Sequence, residues 1–174
     1  TAQALASAGI NFTFKMSTDH HYEHYGPDGV LIDEWWERNI VVDVGLDDLL
    51  DKYFKGSAYT AAFYVGLTDG TPTIVAGNTM LTHAGWSEVV AYTEATREVL
   101  TLGTVAAKSV DNSASKASFS INANGTVIGG GFVTTNSTKS GTTGVLYGAA
   151  AFSAGDKTLD NGDTLNVTIT LTAA

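Results

Sequence analysis

Residues 163–173 read "DTLNVTITLTA", and apolar side chains occupy every second position of this stretch from Leu165 onward. Successive side chains of a β-strand point to opposite faces of a sheet, so this spacing places one apolar face against a core. Residues 116–123, "KASFSINA", repeat the alternation with alanine, phenylalanine and isoleucine. A clean alternation of this kind predicts antiparallel strands that are buried on one face and wet on the other.

Further strand candidates occur in the second two-thirds of the chain, and turn-forming residues separate them. They lie at residues 61–67, 96–103, 126–135 and 144–152. Three consecutive glycines in 126–135 have no helix pattern after them, which favours a bulge or a close backbone approach over a phosphate-binding loop. Short antiparallel strands at this spacing predict a mainly β fold, an antiparallel β-sandwich with a jelly-roll-like arrangement.

One short α-helix is predicted near residues 44–55, within the segment "DVGLDDLLDKYFKG". Its apolar residues follow the spacing of a single helical stripe. They are Leu46, Leu49, Leu50, Tyr53 and Phe54. Aspartates occupy the first turn, lysines lie near the end, and Gly56 follows at the position where a left-handed residue ends many helices.

A β-hairpin is predicted before this helix, because the turn sequence "GPDG" at residues 26–29 separates two strand-like segments. The predicted organisation of the 174 residues is an extended N-terminal arm over 1–18, the hairpin and helix over 19–56, and the sandwich over 57–174. We expect these three parts to form one compact domain, because the chain length suits one domain.

Three of the four histidines lie in "DHHYEH", residues 19–24. In a helix, His20 and His24 would be one turn apart and could share a metal ion. In a strand they would share a face with Tyr22 but lie about 13 Å apart, too far to bind one ion together. The turn that follows almost at once favours the strand, with polar or interfacial histidines, and leaves the metal site as the alternative.

Composition excludes several classes of function. The chain has no cysteine, which excludes disulfides, thiolate zinc sites and cysteine nucleophiles. A net charge of −9 without clustered lysine or arginine argues against nucleic-acid binding. No apolar run reaches the length of a membrane span, and no serine lies in a G-x-S-x-G motif. We therefore predict no enzyme activity, no cofactor and no membrane contact.

Trp35 and Trp36 are adjacent and would face opposite sides of a strand, one toward the core and one toward a partner. Together with the histidines they form the predicted protein-interface set. Its members are His20, His21, His24, Trp35 and Trp36.

The chain resembles small virion proteins of tailed bacteriophages over most of residues 11–172. The resemblance is carried by "RNIVVDVGLDDLLDKYFKG" followed by "FYVGLTDG", then by "HAGWSEVVAYTEATREVL", and finally by "SVDNSASKASFSINANGTVIGGGFVTT" and "GDTLNVTITLTA". The better-understood proteins of this kind are capsid cement or decoration proteins with jelly-roll folds. These motifs are structural, and no binding residue is transferred through them.

The resemblance implies a non-enzymatic protein that is made in the host cytoplasm and placed on the virion surface. Its expected partners are the major capsid protein or other virion proteins, and it is expected to form homo-oligomers. A tail, fibre or collar component is the first alternative. A metal-dependent or carbohydrate-binding β-sandwich that uses the His20–His24 segment is the second. One further hypothesis is that residues 1–40 dock on the shell and that the sandwich projects outward.

Overall fold

The computed structural model describes residues 15–173, and the prediction of an arm over residues 1–14 lies outside this range. The first strand begins at Met16, so the last residues assigned to the arm belong to a sheet. Strands make up 42 % of the described residues and helix 8 %. The mainly β, antiparallel fold class with one short helix is therefore confirmed, while the jelly-roll connectivity stays a prediction.

The first sheet has five strands and is built around the pairing of two long ones. Its strands are β1 (Met16–Tyr25), β2 (Leu31–Arg38), β7 (Ser109–Asp111), β8 (Ala117–Ser120) and β13 (Thr164–Ala173). The order is β2-β1-β13-β7, and β8 also pairs with β13. All of these pairs are antiparallel, and β1 and β2 form the predicted hairpin.

The second sheet has six strands in the order β3-β11-β10-β4-β5, and β6 also pairs with β4. The strands are β3 (Ile40–Val41), β4 (Tyr64–Thr68), β5 (Glu88–Val89), β6 (Glu98–Val99), β10 (Gly130–Thr134) and β11 (Leu146–Ala151). A separate two-stranded ribbon pairs β9 (Thr126–Ile128) with β12 (Lys157–Leu159). The chain passes from the first sheet to the second at Asn39, so the region 19–56 contributes strands to both sheets.

The main core joins the inner faces of the two sheets in a sandwich-like arrangement. Its fully buried members include Tyr22, Phe119 and Val167 from the first sheet, and Val65 and Leu67 from the second. The alternating apolar residues of β8 and of Leu165 to Ile169 are all in this cluster, as the sequence pattern predicts.

The glycine-rich segment 126–135 is two strands rather than the one predicted, because the pairing changes partner at Gly129. A Cβ atom on Gly131 would lie 2.6 Å from the hydroxyl of Tyr22, on the facing sheet. One on Gly130 would lie 2.1 Å from the carbonyl oxygen of Ala150. The predicted close approach is thus confirmed, and Gly131 allows the Tyr22 hydroxyl to reach the second sheet.

The substitution Gly131→Ala is expected to lower the free energy of unfolding by about 1–3 kcal/mol, because the new methyl group overpacks a filled core. Urea unfolding at pH 7 measures the loss. Gly77→Ala is the matched control, since a Cβ atom there meets nothing within 4 Å. Equal stability of the two variants would contradict the close packing of Gly131 on Tyr22.

The predicted helix is present as α1 (Asp43–Leu49), which continues into a π-helical turn at Leu50–Phe54. Gly56 has a φ of 80° and ends the helix in the left-handed region, as predicted. The apolar stripe does not stay against the protein, however. The wider π turn shifts the rotation of the residues after Leu49, so that the last apolar side chains face outward.

Candidate functional site

The histidine segment is a strand, and its alternation matches the prediction. His20, Tyr22 and His24 share the inner face of β1. His20 is completely buried, its Nδ1 atom lies 3.0 Å from the Tyr22 hydroxyl, and its Nε2 atom has no hydrogen-bond partner within the described chain. Burial lowers the pKa of His20 to about 3. A side chain in this position cannot contact a docking partner.

His24 belongs to a buried polar pair. Its Nε2 atom lies 2.8 Å from Oδ2 of Asp163, which also accepts the backbone N–H of Asp160 at 2.8 Å. Burial alone would raise the pKa of Asp163, but these two hydrogen bonds outweigh it and hold that pKa below its usual value. The pair fixes the turn between β12 and β13 to the hairpin, so His24 is engaged inside the fold.

His20 contacts the Tyr22 hydroxyl and His24 contacts the Asp163 carboxylate, so the two imidazoles do not meet at one position. Among residues 15–173 no group of three or more His, Asp or Glu side chains is arranged to hold a metal ion. The geometry on this segment therefore gives no support to the metal-dependent alternative.

The two tryptophans face opposite sides of β2, as predicted. Trp35 is 8 % exposed and stacks on Tyr22 in the core, with ring centroids 5.4 Å apart. Trp36 is 61 % exposed and stacks on His21, with centroids 4.3 Å apart and an angle of 3° between the rings. Of the five predicted interface residues, only His21 and Trp36 lie where another molecule can reach them.

A cluster of large apolar side chains is exposed at the end of the helix, and we call it the helix surface. Its members are Leu50, Tyr53, Phe54 and Tyr59. Tyr53 and Phe54 are 76 % and 66 % exposed, and their rings meet edge to face at 5.1 Å. A cleft of about 190 Å³ adjoins the cluster beside Tyr59 and Phe63. The sequence pattern placed Leu50, Tyr53 and Phe54 on the single apolar stripe of the predicted helix, whereas Tyr59 lies after the helix and was not singled out.

A second exposed apolar group lies at the other end of β2, beside the hairpin turn. It consists of Val30, Leu31 and Ile32. Leu31 and Ile32 are the first two residues of β2, and Arg38 at the far end of the strand lies about 20 Å from Ile32. This group lies outside the helix surface and contains no aromatic ring.

A buried ion pair organises the loops on the second sheet. Arg97 is 1 % exposed and donates from Nε and Nη2 to the two carboxylate oxygens of Glu88, at 2.8 and 2.7 Å. It also donates to the backbone oxygens of Asn136 and Gly141 at 2.8 and 3.0 Å. These four bonds hold the loop between β10 and β11, and no sequence pattern indicates them because the partners come from distant segments.

A cleft of about 160 Å³ lies above this ion pair, and His83 and Trp86 form part of its wall. Their rings stack with centroids 3.8 Å apart. His83 donates from Nδ1 to the carbonyl oxygen of Trp86 at 3.0 Å. The pair thus closes the loop 83–86 on itself, which gives His83 a structural explanation.

Comparison with known proteins found no matching family model, no similar curated protein and no similar solved structure. No helix within residues 15–173 is long and apolar enough to cross a membrane.

Proposed function

We propose that this protein is a non-enzymatic virion structural protein of a tailed phage, a capsid cement protein that binds and stabilises the shell of the major capsid protein. The resemblance of the sequence supports the phage assignment. The observation that carries docking as the function is the helix surface. Its exposed aromatic rings have no cover from any other part of residues 15–173.

Exposed aromatic clusters of this kind mark protein-interaction sites, because burying their apolar area in an interface removes it from water and lowers the free energy. Tyrosine and other aromatic side chains carry much of the binding energy at protein interfaces, and polar residues form the rim. Asp47, Asp48 and Asp51 surround the helix surface on the same helix, with Lys52 and Lys55. Asp51 pairs with Lys52 and Lys55, and Asp48 accepts a hydrogen bond from the Tyr147 hydroxyl, so the rim is polar and carries a mixture of both charges.

The double substitution Tyr53→Ala/Phe54→Ala is expected to reduce attachment to capsids by at least about tenfold, the loss typical of removing interface hot spots. Sedimentation of purified protein with capsids that lack it measures the attachment. Circular dichroism and thermal unfolding should remain close to wild type, because both side chains are exposed.

Val105→Ala is the matched control for this variant, because Val105 is also strongly exposed but lies outside the helix surface. Wild-type attachment by the double variant would remove the helix surface from the proposal. Loss of attachment in the control as well would indicate a general effect of surface polarity rather than a docking site.

Copy number separates the shell from the tail. Quantitative mass spectrometry of purified virions is expected to find hundreds of copies if the protein decorates the shell, whereas a tail, fibre or collar component would be present in about a dozen copies or fewer.

A map of the particle would test which part of the protein contacts the shell. It would show whether residues 1–40 do so, as the sequence-based hypothesis holds, and whether the helix surface does so. Residues 1–40 free in solvent would overturn that hypothesis.

A further inference from the structure

We propose that the outer face of the first sheet, around Trp36, binds an uncharged glycan. The inference does not rest on the helix surface, which contains none of its residues, and it is incompatible with burial of Trp36 against the shell through docking of residues 1–40. It starts from the one tryptophan that the fold leaves in solvent.

The ring of Trp36 is held in place on one side only. His21 covers one face of the indole at a centroid distance of 4.3 Å, nearly parallel to it. A carboxylate oxygen of Glu34 lies 3.4 Å from Nε2 of His21, without a hydrogen bond between them. Trp36 lies on β2, which pairs on one side with β1 and with no other strand among residues 15–173. The second face of the indole is therefore open, and the ring loses little freedom when a ligand stacks on it.

The neighbours of Trp36 on this face are polar. Directly opposed residues of an antiparallel pair point to the same side, so the strand register identifies them. One row runs from Trp36 through His21 to Thr168, and the next contains four residues. Those four are Glu34, Glu23, Asn166 and Ser118. Trp36 is the apolar member of these two rows. Thr168 and Glu23 are buried, and Glu23 is bonded to Lys116 and Tyr25. The polar side chains that remain at least partly exposed are those of His21, Glu34, Asn166 and Ser118.

This composition fits a glycan better than a protein. The centre of a protein interface is rich in apolar and aromatic residues and poor in serine and glutamate. A pyranose ring differs from such a partner. Its apolar C–H face stacks on one aromatic ring, and its hydroxyl groups need polar partners. The outer face of the first sheet provides both an exposed aromatic ring and polar side chains, on β1, β2, β8 and β13.

Charge narrows the class of sugar. The two cationic side chains at this face, Arg38 and Lys116, are paired with the carboxylates of Asp19 and Glu23. Glu34 lies next to Trp36 with its side chain 46 % exposed, and the whole chain carries a net charge of −9. The Glu34 carboxylate and the net charge both repel acidic sugars. The expected ligand is therefore an oligosaccharide of uncharged hexoses or N-acetylhexosamines.

Tryptophan fluorescence gives a direct test on the intact chain. Trp35 and Trp86 are 8 % and 6 % exposed, so emission responds chiefly to a ligand on Trp36, and loss of the change in Trp36→Ala excludes a ligand in the cleft beside Trp86. Titration with oligomers of glucose, galactose or N-acetylglucosamine at millimolar concentrations is expected to give a saturable change for at least one of them. Oligogalacturonate, which is acidic, should give none.

Calorimetry then compares Trp36→Ala with Tyr53→Ala, which lies on the helix surface. Trp36→Ala is expected to weaken glycan binding by at least about tenfold, while Tyr53→Ala leaves it unchanged. The absence of saturable binding to every uncharged sugar, or equal binding by Trp36→Ala and wild type, would overturn the proposal. Weaker capsid attachment by Trp36→Ala without any glycan binding would also overturn it, and would assign the outer face to a protein partner.

Discussion

Acidification from pH 7 to pH 4 is expected to lower the free energy of unfolding by about 3 kcal/mol through His20 alone. This imidazole is completely buried, and burial lowers its pKa from 6.5 to about 3. One ring nitrogen is paired with the Tyr22 hydroxyl, and the other has no partner among the described residues. The nearest carboxylate on the facing strand, Glu37, is bonded to Ser153, so a proton on His20 would place a charge inside the sandwich that burial opposes.

The sign follows from the two pKa values. Above pH 6.5 the imidazole is neutral in both states, and it affects stability equally at every pH. Between pH 6.5 and about pH 3 the His20 imidazole is protonated in the unfolded chain but neutral in the folded chain, so the free energy of unfolding falls as pH falls. The carboxyl groups of Asp33 and Asp163, whose pKa values are lowered in the fold, add losses in the same direction at lower pH.

Urea unfolding of wild type and His20→Gln at pH 7 and pH 4 isolates this contribution. The glutamine side chain keeps a hydrogen-bonding group near Tyr22 but does not titrate. His20→Gln is expected to lose less stability than wild type over this interval, whatever its stability at pH 7. His83→Gln serves as the control, because His83 lies on a partly exposed loop. An unchanged pH dependence in His20→Gln would refute the assignment.

Arg97→Ala is expected to destabilise the protein by about 3–5 kcal/mol, the usual cost of removing one partner from a buried ion pair. The variant leaves the Glu88 carboxylate buried without its guanidinium and leaves the carbonyl oxygens of Asn136 and Gly141 without a donor. Thermal or urea unfolding at pH 7 measures the effect. The loop between β10 and β11 should also become more sensitive to proteolysis.

Arg38→Ala provides the comparison for this second variant. Arg38 lies 3.4 Å from Asp19 in an ion pair whose arginine side chain is 83 % exposed. Such surface pairs contribute about 0–1 kcal/mol. A loss of similar size in Arg38→Ala and Arg97→Ala would contradict the structural role assigned to the buried pair.

The fold class can be predicted from the sequence because successive side chains of a strand point to opposite faces, so alternating apolar residues lie together on one face. Val167 and Phe119 had to face a core once their strands formed. The same rule predicted that Trp35 and Trp36 would separate, with one inside and one outside. It also placed His20 and His24 on one face, but it could not say that this face is the inner one, because histidine is found both at surfaces and in cores.

Other features depend on contacts between distant segments and escape local patterns. The outward position of Tyr53 and Phe54 follows from a π turn, and helical periodicity assumes that the turn stays regular. The stack of Trp36 on His21 depends on the register of β1 and β2, which includes an irregularity between His24 and Tyr25. The Arg97 network joins residues up to 44 positions apart.

The pairing of β1 with β13 also has a consequence for how the chain folds during synthesis. Met16 lies opposite Ala173, and Tyr25 lies opposite Thr164, so the central pair of the first sheet closes a loop of roughly 140 to 160 residues. β7 and β8 reach this sheet through β13 as well. A nascent chain on the ribosome thus holds β1 and β2 as an unsupported hairpin, with the apolar face of β1 uncovered, until β13 emerges. We therefore expect the first sheet to be completed only after β13 has been synthesised, and the interval before that to carry the greatest risk of aggregation.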